Sequence, residues 1–260
     1  MPDRSRNGAH HNPPPIGGRT VGRVAVVTCA VLDQEIEHFA ASLEHLVHVE
    51  VLERGLHNEP DRLRAELQQA IDRIEADTPA DAIVLGYGLC SRGTEGIMTK
   101  RCLLVVPRAH DCITLLLGCK KRYAEYVARH PGTYWYSPGW IRHNTMPGKQ
   151  RYEDHYQQYV QKYGQDNADF LMQTEQQWMI AYERAAYVDL GVSDTQQDEA
   201  YTRSCAAYLN WTYDRQHGDP ALLKALLAGD WNDDDFLVLQ PGQTLRLTAD
   251  DRIIEAVDHD

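Results

Sequence analysis

Asp81-Ala-Ile-Val-Leu-Gly-Tyr-Gly-Leu-Cys90 is the stretch on which the reading of the fold turns. Ala82 to Leu85 are apolar without alternation, the pattern of a strand buried on both faces of a parallel sheet. Gly86 and Gly88 break the run, and Cys90 stands just beyond its carboxyl end. Upstream, Pro60 opens a helix whose stripe of Leu63, Leu67, Ala70, Ile71 and Ile74 runs to about Asp77. Val47 to Leu52 alternates and predicts a strand. Residues 33–46 carry Ile36, Phe39, Ala40, Leu43 and Leu46 at helical spacing behind Asp33 as N-cap. Val24-Ala-Val-Val-Thr28 is a second unbroken apolar run and ends in Cys29. Leu103-Leu-Val-Val106 predicts a further strand. Strands separated by helices predict an α/β fold, with right-handed crossovers and a mostly parallel sheet flanked by helices.

Residues 1–20 are polar, with a triple proline and a Gly-Gly pair, and predict a flexible leader in which His10 and His11 are incidental. Residues 21–250 then form the α/β domain. Within it, residues 133–147 are dense in aromatics, Pro and Gly, and residues 150–184 predict two helices rich in Gln and Tyr. The strand–helix rhythm returns with strands at 185–190, 211–215 and 236–239 and helices at 195–209 and 219–228. The block from Glu53 to Cys90 is echoed by the block from Tyr213 to Gln243. Two readings follow: generic βαβ grammar, or two related Rossmann-like lobes, 21–140 and 185–250, with a helical insert at 141–184 and a cleft between them.

The chain has 260 residues, is 43% hydrophobic and 25% charged, and carries a net charge of −12, so it suits an ordinary globular domain. That charge excludes nucleic acid as a partner, since phosphate contacts need a basic surface. No apolar run reaches the length of a bilayer span, which excludes a membrane. The absence of an apolar signal core predicts a cytoplasmic protein. In that compartment the cysteines are expected as thiols, for metal, catalysis or packing, rather than as disulfides.

The positions of those cysteines carry the chemistry. In open parallel sheets, ligands bind beyond the carboxyl ends of the strands. Cys29 follows the first strand, Cys90 the Ala82–Leu85 strand, and Cys112 the Leu103–Val106 strand, so three thiols emerge at one sheet edge. Cys102, Cys119 and Cys205 are scattered elsewhere. The spacing is not C-x-x-C, so any metal site is assembled by the tertiary fold. Cys29, Cys90 and Cys112, with His110 as a fourth ligand or base, suit zinc, iron or an iron–sulfur cluster, because thiolates select soft metals. A metal-free alternative pairs Cys90 as nucleophile with His110 as base, the thiol lowered by the dipole of a following helix. Single buried cysteines serving as small hydrophobes, and a histidine satisfied by backbone, are the plain alternatives.

Other residues are candidates for the ligand. Arg92 and Arg108 flank two of the cysteines and are expected to orient an anionic small molecule, unless acidic neighbours engage them. Gln243, in Pro241-Gly-Gln243, occupies the echo position of Cys90 and is expected to hydrogen-bond the ligand. Tyr134, Trp135, Tyr136 and Trp140 would wall a pocket or pack a core. No complete G-x-G-x-x-G or Walker pattern is present, so nucleotide binding has no support. Asp230 to Asp235 lacks the glycine and glutamate of a calcium loop.

Six blocks give a resemblance. They are Cys29 with Val31–Glu37, Leu56–Pro60 (L-H-N-x-P), Tyr87–Thr94 (Y-G-L-C-x-x-G-T), Pro107–Gly118 (P-R-A-H-D-C-I-T-L-x-L-G), Thr133–Trp140 (T-Y-W-x-x-P-G-W) and Pro241–Thr244 (P-G-Q-T). Over about residues 22–245 the chain resembles a prokaryotic family of unknown function. The resemblance implies a single α/β domain, a context of corrinoid-dependent methyltransferase components, and no stated activity. It places Cys29, Cys90, His110 and Cys112 in shared blocks and Cys119 where Ser is more usual. The expectation is a metal-binding protein, a metal-dependent enzyme acting on an anionic small molecule at the cysteine-rich site in methyl transfer or redox chemistry. The alternatives are a metal-free Cys–His enzyme and a non-catalytic carrier of metal or corrinoid.

Overall fold

The computed structural model describes residues 22–258; the expected leader at 1–20 lies outside them. The elements run β1 (Val24–Cys29), α1 (Asp33–Ala40), β2 (Leu46–Leu52), α2 (Pro60–Asp77), β3 (Ala82–Gly86), β4 (Leu103–Pro107), α3 (Cys112–Leu117) and α4 (Lys120–Arg129). They continue with β5 (Thr133–Tyr136), α5 (Pro138–His143), α6 (Lys149–Tyr163), α7 (Gln165–Glu175), β6 (Arg184–Asp189) and α8 (Gln196–Leu209). The last are β7 (Thr212–His217), α9 (Ala221–Ala228), β8 (Phe236–Leu239), β9 (Gln243–Leu247) and β10 (Ile254–Asp258). No helix is long and apolar enough to cross a membrane among the described residues.

The fold is α/β, and its larger sheet is mostly parallel. That sheet has the order β2-β1-β3-β4-β8, parallel from β2 to β4 and closed by an antiparallel β8. Its central strands read as unbroken apolar runs because helices cover both faces: Val24–Val27 and Ile83–Leu85 are fully buried. The α2 stripe of Leu63, Leu67, Ala70 and Ile71 packs into the same core, as do Leu222, Leu223, Leu226 and Leu227 of α9. A second, three-stranded parallel sheet has the order β5-β6-β7, and β9–β10 forms a hairpin.

Sheet membership differs from the division drawn from the repeated pattern. The strand at 236–239 belongs to the first sheet, where Leu104 pairs with Leu239, and the aromatic Thr133–Tyr136 segment is a strand of the second. The echo between Glu53–Cys90 and Tyr213–Gln243 is therefore not a repeated unit, since β7 and β8 lie in different sheets. Apolar runs mark a buried strand but carry no information on its direction or neighbour.

The two sheets meet where α5 lies on the short 3-10 turn Ala30–Leu32 that follows β1. A Cβ on Gly139 would stand 1.9 Å from the Val31 carbonyl oxygen, so the two backbones touch. Asp33 ties the junction by accepting from Arg142 at 2.9 Å and contacting His143 at 3.0 Å. Beside it, Glu35 is 1% exposed and one carboxyl oxygen has no hydrogen-bond partner among the described residues. Burial pushes this carboxyl up to about 7; a backbone N–H and Arg142 oppose the rise, and Asp33 and Asp189 add to it.

A raised folded-state value means that the folded protein holds a proton the unfolded chain releases first. The stabilisation is complete below the ordinary 4.5 and is lost as pH rises through about 7. It amounts to about 3 kcal/mol between those limits. Glu35→Gln is expected to match the parent in thermal unfolding at pH 4 and to exceed it at pH 8. A variant no more stable than the parent at pH 8 would refute this.

Candidate functional site

The loops after β3 and β4 are stitched together at the carboxyl edge of the larger sheet. Leu89 N–H donates to the Ala109 carbonyl at 2.7 Å and Cys90 N–H to the His110 carbonyl at 3.0 Å. Gly88 permits this approach, because a Cβ there would meet the Asp111 nitrogen at 2.6 Å and the Ala109 oxygen at 2.8 Å. The pairing sets Cys90 beside the start of α3, where Asp111 caps the helix and Cys112 is its first residue. Cys29 ends β1, the neighbouring strand.

All three thiols, together with His110, line one cavity of about 470 Å³. Its lining also includes Tyr87, Asp111, Tyr123, Tyr134, Trp135, Trp140 and Tyr182. Tyr136 instead fills the core of the second sheet, fully buried. His57 also lines the cavity, edge-on to Trp140 with ring centroids 5.2 Å apart. The other cysteines lie apart: Cys102 is buried with its thiol 3.5 Å from a Glu75 oxygen, Cys119 is exposed, and Cys205 is buried in the second core.

The electrostatics of the cavity disfavour negative charge. Burial pushes the Cys29 thiol up. Burial also raises Cys90, with Asp111 and Cys29 adding to it, and raises Cys112 well above its ordinary value. The Trp140 side chain eases part of the rise at Cys112. The Tyr87 hydroxyl, raised by burial and by the cysteines around it, is buried without a hydrogen-bond partner of ordinary geometry among the described residues. Burial raises the Asp111 carboxyl too, opposed by Tyr123, Thr114 and Ile113, and it lowers His57.

The lowered Cys90 thiol expected from a following helix is not what the structure has. No helix follows Cys90. Cys90, Ser91 and Arg92 form a left-handed turn with φ of 45°, 56° and 68°, and burial dominates the thiol. Three successive non-glycine residues in this region store strain of about 1–3 kcal/mol each, a feature that clusters at functional sites. No hydrogen bond joins the His110 ring to a cysteine among the described residues. As placed, no three His, Cys, Asp or Glu side chains there are close enough to hold a metal together.

The residues expected to orient an anion lie elsewhere. Arg92 is exposed and pairs with Glu95 at 2.6 Å. Arg108 is 1% exposed and donates to the backbone carbonyls of Asp233, Arg252 and Ile254 and to the Asp233 carboxylate. Gln243 begins β9, where it accepts from Gln240 N–H at 3.0 Å and donates to Asp258 at 3.1 Å. None of the three lines the cavity among the described residues, and neither does any other Arg or Lys.

Sequence reasoning did not single out His57, Tyr87, Asp111 or Tyr123 as site residues. The strand-end rule that found the cysteines also covers His57 and Tyr87, which follow β2 and β3 at the same edge. Asp111 reads first as a helix cap, and Tyr123 is carried in from α4, where sequence gives no hint of its donation to Asp111 at 2.7 Å.

No curated protein and no solved structure matches the chain. The family described as Protein of unknown function (DUF1638) matches residues 51–227, which include Cys90, His110, Cys112 and most of the cavity wall. With two thirds of its length matched, the chain belongs to that family.

Proposed function

We propose that the protein is a metal-dependent enzyme that acts on a small molecule in this cavity, with Cys29, Cys90 and Cys112 as soft-metal ligands. The observation that carries the reading is the convergence of three thiols, from the ends of three adjacent strands, on one aromatic cavity. Packing alone gives no reason for all three to gather in that space around one buried tyrosine hydroxyl. The donor set suits zinc or iron, which thiolates favour over harder ions. When bound, such an ion supplies Lewis acidity or electron transfer.

The chain's own residues supply the rest of the proposal. The thiols lie in a pocket that penalises their ionised forms, so binding a cation draws them together and releases their protons. His110 is the fourth ligand or the proton acceptor for the substrate, and Trp140 and Trp135 exclude water. Methyl transfer or redox chemistry remains the proposed context.

Metal content of protein purified and reconstituted without oxygen tests the reading. About one zinc or iron per chain is expected, with affinity rising as pH rises. Cys29→Ser, Cys90→Ser and Cys112→Ser should each weaken binding by at least about tenfold. Cys119→Ser and Cys205→Ser should leave it unchanged. No bound metal, or equal loss in the two control variants, would overturn the proposal.

A further inference from the structure

We propose that the cavity takes an organic cation, a quaternary ammonium or sulfonium compound, held by its aromatic wall. This deepens the reading of the cavity as a substrate site and rests on it. Three observations point the same way. Rings outnumber the aliphatic side chains Leu56, Ile113, Val127 and Pro131 in the wall: Tyr123 and Trp135 lie near-parallel with centroids 6.5 Å apart, and Trp140 and Tyr134 extend the surface. Ring faces carry negative electrostatic potential and hold alkylated cations without the dehydration that an ammonium demands of a salt bridge.

The second observation is the Asp111 carboxylate. It accepts from Ile113 N–H at 3.0 Å, Thr114 N–H at 3.4 Å and Tyr123 hydroxyl at 2.7 Å. Its hydrogen bond from Tyr123 also enriches that ring in electron density, which strengthens its attraction for a cation. Among the described residues Asp111 has no Arg or Lys ion pair, whereas Glu53, which also lines the cavity, is paired with Arg62. The third is the absence of any Arg or Lys from the wall among the described residues. An anion entering this space meets ring faces and a carboxylate with no guanidinium or ammonium to receive it. A neutral guest brings that carboxylate no opposite charge. A cation satisfies both, in a chain whose net charge of −12 attracts it from a distance.

Calorimetric binding to the full-length protein distinguishes these guests. The probes are choline, its uncharged carbon isostere neohexanol, and the anion tert-butylacetate, which share nearly the same shape. Choline is expected to bind at least about tenfold more tightly than neohexanol, with no detectable binding of tert-butylacetate. Trp135→Leu should abolish the preference and Trp135→Phe should keep part of it. Asp111→Asn retains a good N-cap and an acceptor for Tyr123, so it isolates the charge. It should weaken choline several-fold and leave neohexanol unchanged. Equal binding of choline and neohexanol, tighter binding of the carboxylate, or no detectable choline binding would overturn the proposal. Each titration is run on metal-free protein, metal-loaded protein and Cys29→Ser. Choline preference in Cys29→Ser supports the cation site even if no metal binds, and metal uptake without that preference refutes the cation site alone.

Discussion

Gly139→Ala is expected to lose about 3 kcal/mol of stability and to weaken ligand binding in the cavity at temperatures where the variant is still folded. The added methyl would stand 1.9 Å from the Val31 carbonyl oxygen, far inside van der Waals contact. Both contacting groups are backbone, so no rotamer change relieves the clash; α5 must draw back from the Ala30–Leu32 turn. That turn directly follows Cys29, and α5 carries Trp140, so the same movement parts one thiol from the wall beside another. Thermal unfolding should shift down by roughly 6–12 °C, from about 2–4 °C per kcal/mol for a chain of this size. Gly55→Ala is the control. It places alanine at φ +82° and ψ −8° with nothing within 4 Å, so only the left-handed backbone penalty of about 1 kcal/mol applies. Equal shifts in the two variants would show that the α5 contact is not the constraint described here.

Arg108→Ala is expected to be about as costly, about 3 kcal/mol, because it empties a fully buried side-chain volume and strips partners from three carbonyls, that of Ile254 buried. The guanidinium binds the loop before β8 through Asp233 and the approach to β10 through Arg252 and Ile254, and it does so from the end of β4. Loss of the side chain leaves those carbonyls unpaired around a cavity. Hydrogen exchange should report the loss locally, with β9 and β10 deprotected well before the parallel strands. Arg108→Lys should recover only part of the stability, since an ammonium cannot fork across several acceptors. If Arg108 held a ligand instead, the alanine variant would keep its stability and lose binding, the reverse of the expected pattern.

That reversal shows what sequence could and could not reveal. The unbroken apolar runs at Val24–Val27 and Ala82–Leu85 disclose buried parallel strands because period and burial are written in residue type. The strand-end rule then locates Cys29, Cys90 and Cys112 at one edge. Direction and partnership are not written in the same way, so Phe236–Leu239 read as part of a second lobe although it pairs antiparallel with β4. Thr133–Tyr136 sits beside Pro138 and Gly139, and its aromatic density masked a strand. Arg108 adjoins a His-Asp-Cys run and reads as a ligand; only its burial against three carbonyls reveals a tie rod. Cys90 misled for a different cause, since a glycine-rich turn suggests a following helix, whereas the chain coils left-handed there.

The antiparallel β8 has a consequence for how the molecule is made. Leu104 finds its partner in Leu239, so the β4 edge of the main sheet stays open while the whole second sheet is synthesised. A late, non-local pairing of this kind slows folding and exposes an apolar edge meanwhile. The same returning strand sews the second sheet into the first as an enclosed excursion of the chain. The first sheet can therefore be completed only after every strand of the second has been made.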